Sequence, residues 1–455
     1  MKRRRFALSS THIIMLSFLL AILAGSGLLA LPFSSATGEA VPYVDALFTA
    51  TTATCVTGLV TVPTATAWSP FGQAVILLLI QIGGLGVITV MAGIMLALRH
   101  RMGLNDRLLL QDAFNLNTME GLASFLKKVI IGTLVVEGVG ALLCMTVFVP
   151  DFGVRGVWIS VFHAVSAFCN AGIDVIGLNS LGDYATHPLM NTVTSLLVIL
   201  GGLGFIVWWD VLRVVRMGVR KRRVRVVRHL TLHTKIVLCA TAVLLLGGGL
   251  LFFLFERNNP LTIGNLSTLD QIQVSLFQSV TTRTAGFATV AQQHLTQGSV
   301  LTSVVLMFIG GSPVGTAGGI KTVTVAVLVA SAVCTIRGRH EVTLFHRSLG
   351  HDARRKAVAV AGMSMGIVLA STLLLSAVEP LASFDRLLYE TVSATATVGL
   401  TRDLTPYLSV AGKLIVAATM YLGRIGPISL AVAFHIKKDN KPNAVQNPTE
   451  PVSVG

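Results

Sequence analysis

The stretch TATCVTG, residues 52–58, closes on a glycine, and three later stretches close the same way: AFCNAG at Gly172, TTRTAGF around Gly286 and TATVGL around Gly399. The intervals between these glycines are 114, 114 and 113 residues. A period of that length, kept three times, marks a chain built from four copies of one unit. The copies share little exact sequence, so the period preserves a shape. One apolar-flanked glycine per copy, four times round, is what a single chain needs to build a four-fold ring of backbone carbonyls, the physical basis of a cation selectivity filter.

Around those glycines the composition fixes the solvent. Hydrophobic residues make up 53% of the 455-residue chain and charged residues only 12%, with a mean hydropathy of +0.76. The apolar residues come in long runs. Stretches 13–31, 74–98, 236–255 and 357–378 each hold 19 or more residues without a charge, enough to span a bilayer core of about 30 Å. Stretch 129–149 spans with one charge, Glu137, and 190–209 with none, while 300–333 and 414–436 carry Lys321 and Arg424. That predicts eight spans, two per repeat. The first, preceded by MKRRRF, has the look of a signal peptide, but no soluble domain follows it and it reads as a retained helix. Between the two spans of each repeat lies a run too short to cross: 42–53, 156–168, 270–282 and 384–395. Runs of that length read as re-entrant half-helices, and the irregular backbone that follows is tolerated at membrane depth only where it is buried in protein or lines a wet cavity. The expected fold is therefore all-α and membrane-embedded, with four helix–pore-loop–helix repeats around one pore: 11–98, 126–212, 233–336 with a broken second span, 355–436, and a cytoplasmic tail over 437–455.

Charge predicts the orientation. The segments on the half-helix side carry 11 Asp or Glu against 6 Lys or Arg, and the opposite side carries 27 Lys or Arg. Positive loops stay cytoplasmic, so both termini are expected inside and the filters open outward. The net charge of +15 is then a topology signal and not a mark of nucleic-acid binding. The densest stretch, 213–228, holds eight Arg or Lys; it reads equally as an ordinary inside loop or as a docking surface for anionic lipid or a partner. Five cysteines show neither a disulfide framework nor metal spacing, and the histidines, His12 and His163 among them, show no ligand spacing.

The glycine matters more than its neighbours because carbonyls aimed at one axis need dihedrals closed to residues with a Cβ. The residues before it vary: Cys55, Val56 and Thr57 before Gly58; Cys169, Asn170 and Ala171 before Gly172; Arg283, Thr284 and Ala285 before Gly286; Ala396, Thr397 and Val398 before Gly399. Such variation suits coordination by backbone oxygens, hard ligands fit for K⁺, Rb⁺ or Na⁺. Arg283, beside the filter, is expected to brace the pore loop, since a guanidinium facing the ion would repel it. In repeat three the span is interrupted by Gly310, Gly311, Ser312, Pro313, Val314, Gly315, Thr316, Ala317, Gly318, Gly319, Ile320 and Lys321. Five glycines and a proline do not hold a straight helix, and no strand precedes them to make a phosphate-binding loop. Arg424, in LGRIGP, is the matching feature of repeat four. A charge at that depth faces a cavity or a partner, such as the carbonyls at a helix break near Pro427. Glu137 is balanced between structural tie and functional role, and Asp210 reads as interfacial.

Taken together, VDALFTATTATCVTGL, QIGGLG, AVSAFCNAG, LHTK, QSVTTRTAGF, GTAGGIK, SATATVGL and LGRIGP resemble the Trk/Ktr/HKT superfamily of cation transporters, most closely the membrane subunits of bacterial Ktr potassium-uptake systems, the KtrB type. The resemblance covers roughly residues 10–436. Only MKRRRFALSS precedes the first span, which is similar to Ktr members and unlike Trk-type relatives with extra helices in front. The resemblance implies K⁺ as substrate, with Gly58 pointing to K⁺ because plant relatives with a serine there prefer sodium. A sodium-permeable member and a sodium dependence stay open. It also implies that 310–319 is an intramembrane gating loop acting with Lys321 and Arg424, made stiffer here by Pro313. A homodimer in the bacterial inner membrane is expected, regulated by a cytoplasmic ring of KtrA-type nucleotide-binding subunits that carries ATP or ADP. The chain itself is expected to need no cofactor and to catalyse no reaction.

Overall fold

The computed structural model describes residues 10–86, 89, 90, 92, 122–177, 179–221, 229–339 and 341–426. The tail 437–455, the N-terminal MKRRRF, Pro427, residues 222–228 of the basic stretch and most of 99–128 lie outside the described residues.

Among the described residues the chain is almost wholly helical, with one short antiparallel hairpin, β1 (Thr343–Leu344) paired with β2 (Arg347–Ser348). Four outer helices are α1 (Ser10–Leu29), α4 (Leu122–Phe152), α8 (Leu232–Glu256) and α12 (His351–Val378). They contain the stretches long and apolar enough to cross a membrane, and roughly a third of each stretch is buried. Leu142, Leu246 and Leu373 are more than three-fifths exposed, an apolar belt that only lipid or another apolar surface satisfies.

Inside them lie four half-helices: α2 (Tyr43–Cys55), α5 (Arg155–Cys169), α9 (Thr268–Thr281) and α13 (Phe384–Ala396). These match the four short runs expected from sequence to within two residues. Four inner helices follow them, α3 (Pro70–Leu85), α6 (Pro188–Leu203), α10 (Gln297–Phe308) and α14 (Val410–Ile425). Each starts on a capping side chain, Ser69, His187, Thr296 or Ser409, that accepts a backbone N–H three residues on, satisfying one of the free donors of a first turn. The ring closes between the last repeat and the first, where Lys413 of α14 pairs with Asp45 of α2 at 2.6 Å.

The inner helices stop short of the second spans expected at 74–98, 190–209 and 414–436, of which 87, 88, 91, 93–98 and 427–436 lie outside the described residues. In repeats one, two and four, too, the helix ends at a glycine of positive φ, so the interruption is not confined to the third. Helix α3 ends before Gly86, α6 before Gly204 and α14 before Gly426, with φ of 87°, 87° and 86°. After Gly204 the chain turns by 99° into α7 (Phe205–Lys221). In repeat three the break widens to the segment between α10 and α11 (Thr322–Ile336). The left-handed region is open to glycine at no steric cost, and GGLG at 83–86 and at 201–204 is the local signal for it. Hydropathy misses it because the residues beyond each break stay apolar.

Candidate functional site

Each half-helix stops by the same device. The residue after its C-terminus is left-handed in three repeats, Val56 (φ 55°), Asn170 (φ 60°) and Thr397 (φ 51°). The next amide then turns back onto the helix: Thr57 N donates to Thr52 O, Ala171 N to Ser166 O and Val398 N to Ser393 O, each at 2.8 Å. This is a C-cap of the left-handed kind. The side chains of the same three residues do more. Gly58 N donates to Thr52 Oγ1 at 2.9 Å, Gly399 N to Ser393 Oγ at 3.1 Å, and Ile173 N to Ser166 Oγ at 3.1 Å. Repeat three stops its helix two residues early, yet Thr284 takes up φ 69° at the equivalent position, and Thr281 donates from Oγ1 to Phe287 O at 2.6 Å. Positive φ in a β-branched residue is an outlier that costs about 1–3 kcal/mol and survives only where the surroundings over-determine it. Val56, Thr284 and Thr397 are all but fully buried.

These caps aim four extended segments at one axis. The filter glycines carry φ of 101° (Gly58), 65° (Gly172), 82° (Gly286) and 97° (Gly399). A Cβ placed on Gly58 would lie 2.6 Å from the carbonyl oxygen of Ala171, on Gly172 2.6 Å from that of Ala285, and on Gly286 2.5 Å from that of Val398. On Gly399 it would strike the carbonyl of Thr57. Every glycine thus abuts the carbonyl preceding the next repeat's glycine, in cyclic order, and the residues singled out by the 113–114 period form a closed ring.

Directly beneath the ring lies the glycine-rich segment of repeat three. Gly318 N donates to Thr284 Oγ1 at 3.2 Å, and Thr316 Oγ1 bonds Phe168 O at 3.0 Å and Asn170 Oδ1 at 3.1 Å. The segment is also pinned to repeat two, where Ser312 N donates to Gly202 O and Thr316 N to Gly201 O. Within the segment, Gly311 N bonds Gly318 O, and Ile309 bridges Ile320 in parallel. Lys321 turns back to donate from Nζ to Ala317 O at 2.7 Å. Arg424 reaches the same place from repeat four, donating from its two terminal nitrogens to Thr316 O at 2.7 Å and to Gly83 O of repeat one at 2.6 Å. Arg283 does not face the axis; it points behind the filter, with a long 3.5 Å bond to Gly310 O.

Several supporting residues were not legible as such. Glu137 of α4 is buried behind the second filter wall, accepting from Gln81 Nε2 at 3.2 Å and from Cys169 Sγ at 3.8 Å. Glu390 of α13 accepts from Thr401 at 2.6 Å and from Thr405, holding the exit of the fourth filter segment. His163 is a buried structural residue on Thr194. Asp210, expected at the interface, is buried within the protein, takes both the amide and the hydroxyl of Thr231 at 2.9 Å, and anchors the start of α8. Asp174 stands two residues beyond the filter glycine of repeat two. Burial lifts its carboxyl to about 6, against hydrogen bonds from Ser180, Ile176 and Gly177. Among the described residues no group of three or more His, Cys, Asp or Glu is placed to hold a metal.

Residues 7–444 match the model of the TrkH family, described as cation transport protein. The chain belongs to that family. It is 36% identical over its whole length to the potassium/sodium uptake protein NtpJ of Enterococcus hirae, 99% of which is covered. It is also 39% identical to Ktr system potassium uptake protein B of Bacillus subtilis, over 93% of this chain and 92% of that one. The namesake protein from Vibrio alginolyticus is 37% identical over 100% of this chain and 97% of that one. The fold is that of the crystal structure of the potassium transporter TrkH from Vibrio parahaemolyticus, with a TM-score of 0.73 at 16% identity, covering 95% of this chain and 86% of that one. The expected resemblance to the Trk/Ktr group therefore holds, and membership places the chain among membrane transporters, not enzymes.

Proposed function

We propose that this chain takes up K⁺ through a pore whose selectivity filter is the ring of backbone carbonyls at Cys55–Gly58, Cys169–Gly172, Arg283–Gly286 and Ala396–Gly399. The observation that carries the reading is the cyclic approach of each filter glycine to its neighbour's carbonyl. Carbonyl oxygens held by caps at fixed dihedrals are hard ligands that replace the hydration shell of a bare cation. The name of the Enterococcus relative supports a second reading in which Na⁺ is also carried.

The segment 310–319, with Lys321 and Arg424, is the gate in this reading. The Arg424 guanidinium beneath the filter, with Lys321 beside it, opposes a passing cation in a low-dielectric path, and the segment is held by hydrogen bonds that have to break for it to move. With positive loops inside, the filter opens outward and both termini lie in the cytoplasm of a bacterial cell. Inward movement of each charge is then driven by about 2.3 kcal/mol per 100 mV. Control comes from a cytoplasmic ring of nucleotide-binding subunits of KtrA type, carrying ATP or ADP, docked on a homodimer of this chain.

Flux into proteoliposomes under a K⁺ or Na⁺ gradient tests the reading. Uptake of K⁺ in preference to Na⁺ is expected, and adding the ring subunit is expected to make it nucleotide-dependent. Failure of the purified chain to pass either ion, with or without the partner, refutes the pore.

A further inference from the structure

A groove of about 510 Å³ runs between α8 and α11, on the side of the molecule away from the filter mouth. Val243 and Ala240 of α8 and Ala326, Val329 and Val333 of α11 line it, and Phe345 from the hairpin closes one wall. The volume is that of a site for a ligand of drug size. Its charged residues are confined to one end. Arg337 and Arg339, just past α11, stand there together with Glu341, and the net charge of that mouth is positive. The other end reaches Thr322, the first residue of α11. Thr322 is the root of the glycine-rich segment, since its amide donates to Gly311 O at 3.0 Å and its hydroxyl bonds that of Ser312 at 3.0 Å.

The occupant follows from length and charge. Fifteen residues of α11 rise about 22 Å, more than one leaflet's half of a hydrocarbon core of about 30 Å. The apolar body therefore accepts an extended chain from the mouth to mid-membrane, and the mouth accepts an anion. By the positive-inside rule the arginine end faces the cytoplasmic leaflet, where anionic headgroups gather against basic residues. We propose that the groove between α8 and α11 binds an anionic phospholipid of the inner leaflet, its phosphate on Arg337 and Arg339 and one acyl chain ending against Thr322. Binding stands on the groove alone. Its consequence for flux rests on the gating role proposed for 310–319, because a chain packed against Thr322 stiffens the anchor from which that segment moves.

The test uses the full-length protein, purified in mild detergent, with native mass spectrometry to count retained lipid from mixtures of phosphatidylglycerol and phosphatidylcholine. Each basic residue at an anionic surface contributes about fivefold in binding and two about 30-fold, with Glu341 offsetting part. Wild type is expected to prefer phosphatidylglycerol by at least about fivefold, and the double variant R337Q/R339Q to lose that preference while remaining a monodisperse protein. Ala326→Trp, which fills the groove without touching the arginines, is expected to release the retained lipid of either headgroup. An unchanged preference in R337Q/R339Q overturns the headgroup assignment. If Ala326→Trp instead separates a dimer and leaves lipid retention intact, the groove is an interface between copies of this chain and the proposal fails. In phosphatidylcholine liposomes, added phosphatidylglycerol is expected to change wild-type K⁺ flux and not that of R337Q/R339Q. Lipid binding lost with no change in flux refutes the link to the gate while leaving the site standing.

Discussion

Gly58→Ser is the substitution that the geometry of the ring makes most informative. At φ 101° the position lies beyond the narrow left-handed region that side chains tolerate. The new Cβ would sit 2.6 Å from Ala171 O and 3.1 and 3.2 Å from the Cα atoms of Gly399 and Gly172. All three are backbone atoms, so no side chain can swing aside. Strained backbone costs about 1–3 kcal/mol and overpacking in a rigid core about another 1–3 kcal/mol, together about 2–6 kcal/mol. The caps behind each wall resist, so the strain spreads round the ring. Shared among four walls, about 0.5–1.5 kcal/mol falls on the carbonyls that meet the ion, and since about 1.4 kcal/mol is a factor of ten the K⁺/Na⁺ preference is expected to drop about two- to tenfold. Rubidium uptake into proteoliposomes, competed by K⁺ or Na⁺, reads that ratio directly. Gly27→Ala is the control: its Cβ would meet nothing within 4 Å, and helical Gly→Ala is favourable by about 0.5–1 kcal/mol. A Gly58→Ser protein with wild-type K⁺/Na⁺ competition and normal abundance would refute the argument that this ring selects the ion.

Arg424→Ala removes two donors that hold Thr316 O and Gly83 O along with the cation assigned to the proposed gate; K⁺ flux is expected to rise and its dependence on the partner subunit to weaken. Loss of the protein from the membrane without any gain in flux would show instead that Arg424 only ties the repeats. Glu137→Leu leaves Gln81 Nε2 without its acceptor behind the second filter wall, at a cost of about 1–3 kcal/mol. Thermal stability and K⁺/Na⁺ competition should both fall, whereas Glu137→Gln, which can still accept from Gln81, should retain most of each; equal behaviour of the two variants contradicts the bracing role. Asp174 titrates near 6 because burial raises it, so below that pH the outer mouth loses a negative charge. The KM for external K⁺ is expected to rise as external pH falls through about 6, and Asp174→Asn should show the higher KM at every pH; a pH-dependent KM that persists in the variant assigns the effect elsewhere.

The ring of glycines was legible because its two requirements both leave marks in sequence. A ring of four equivalent walls writes a period of 113–114 residues, and backbone at positive φ writes glycine at Gly58, Gly172, Gly286 and Gly399. The half-helices were legible because they are too short to cross. What escaped is geometry that carries no hydropathy. The breaks at Gly86, Gly204 and Gly426 lie inside apolar runs, where a turned chain and a straight one have the same composition. Left-handed Val56 is an outlier that no propensity scale anticipates, and the capping role of Thr52, Ser166 and Ser393 hides among many buried hydroxyls. Arg424 was recognisable as an anomaly, yet its partners Thr316 and Gly83 lie 108 and 341 residues away in the chain.

Symmetry and its breaking divide the labour in this fold. Coordination of a spherical cation asks the same thing of every wall, and the four repeats comply down to a shared pair of left-handed residues, one at the filter's second position and one at its glycine. Closing the path asks for the opposite. Four identical gates would each carry a quarter of the barrier and would have to move in concert, whereas one inserted segment can be held or released as a unit. In the proposed function repeat three supplies that segment, and the others supply its restraints. Repeat two offers Gly201 O and Gly202 O, repeat four reaches in with Arg424, and repeat one steadies that arginine through Gly83 O. The arginine therefore joins three repeats through carbonyls alone, so its hold does not depend on which side chains line the path. In the proposed gating, moving the segment would give up the Thr316 bond but not the Gly83 bond, leaving Arg424 anchored at the wall.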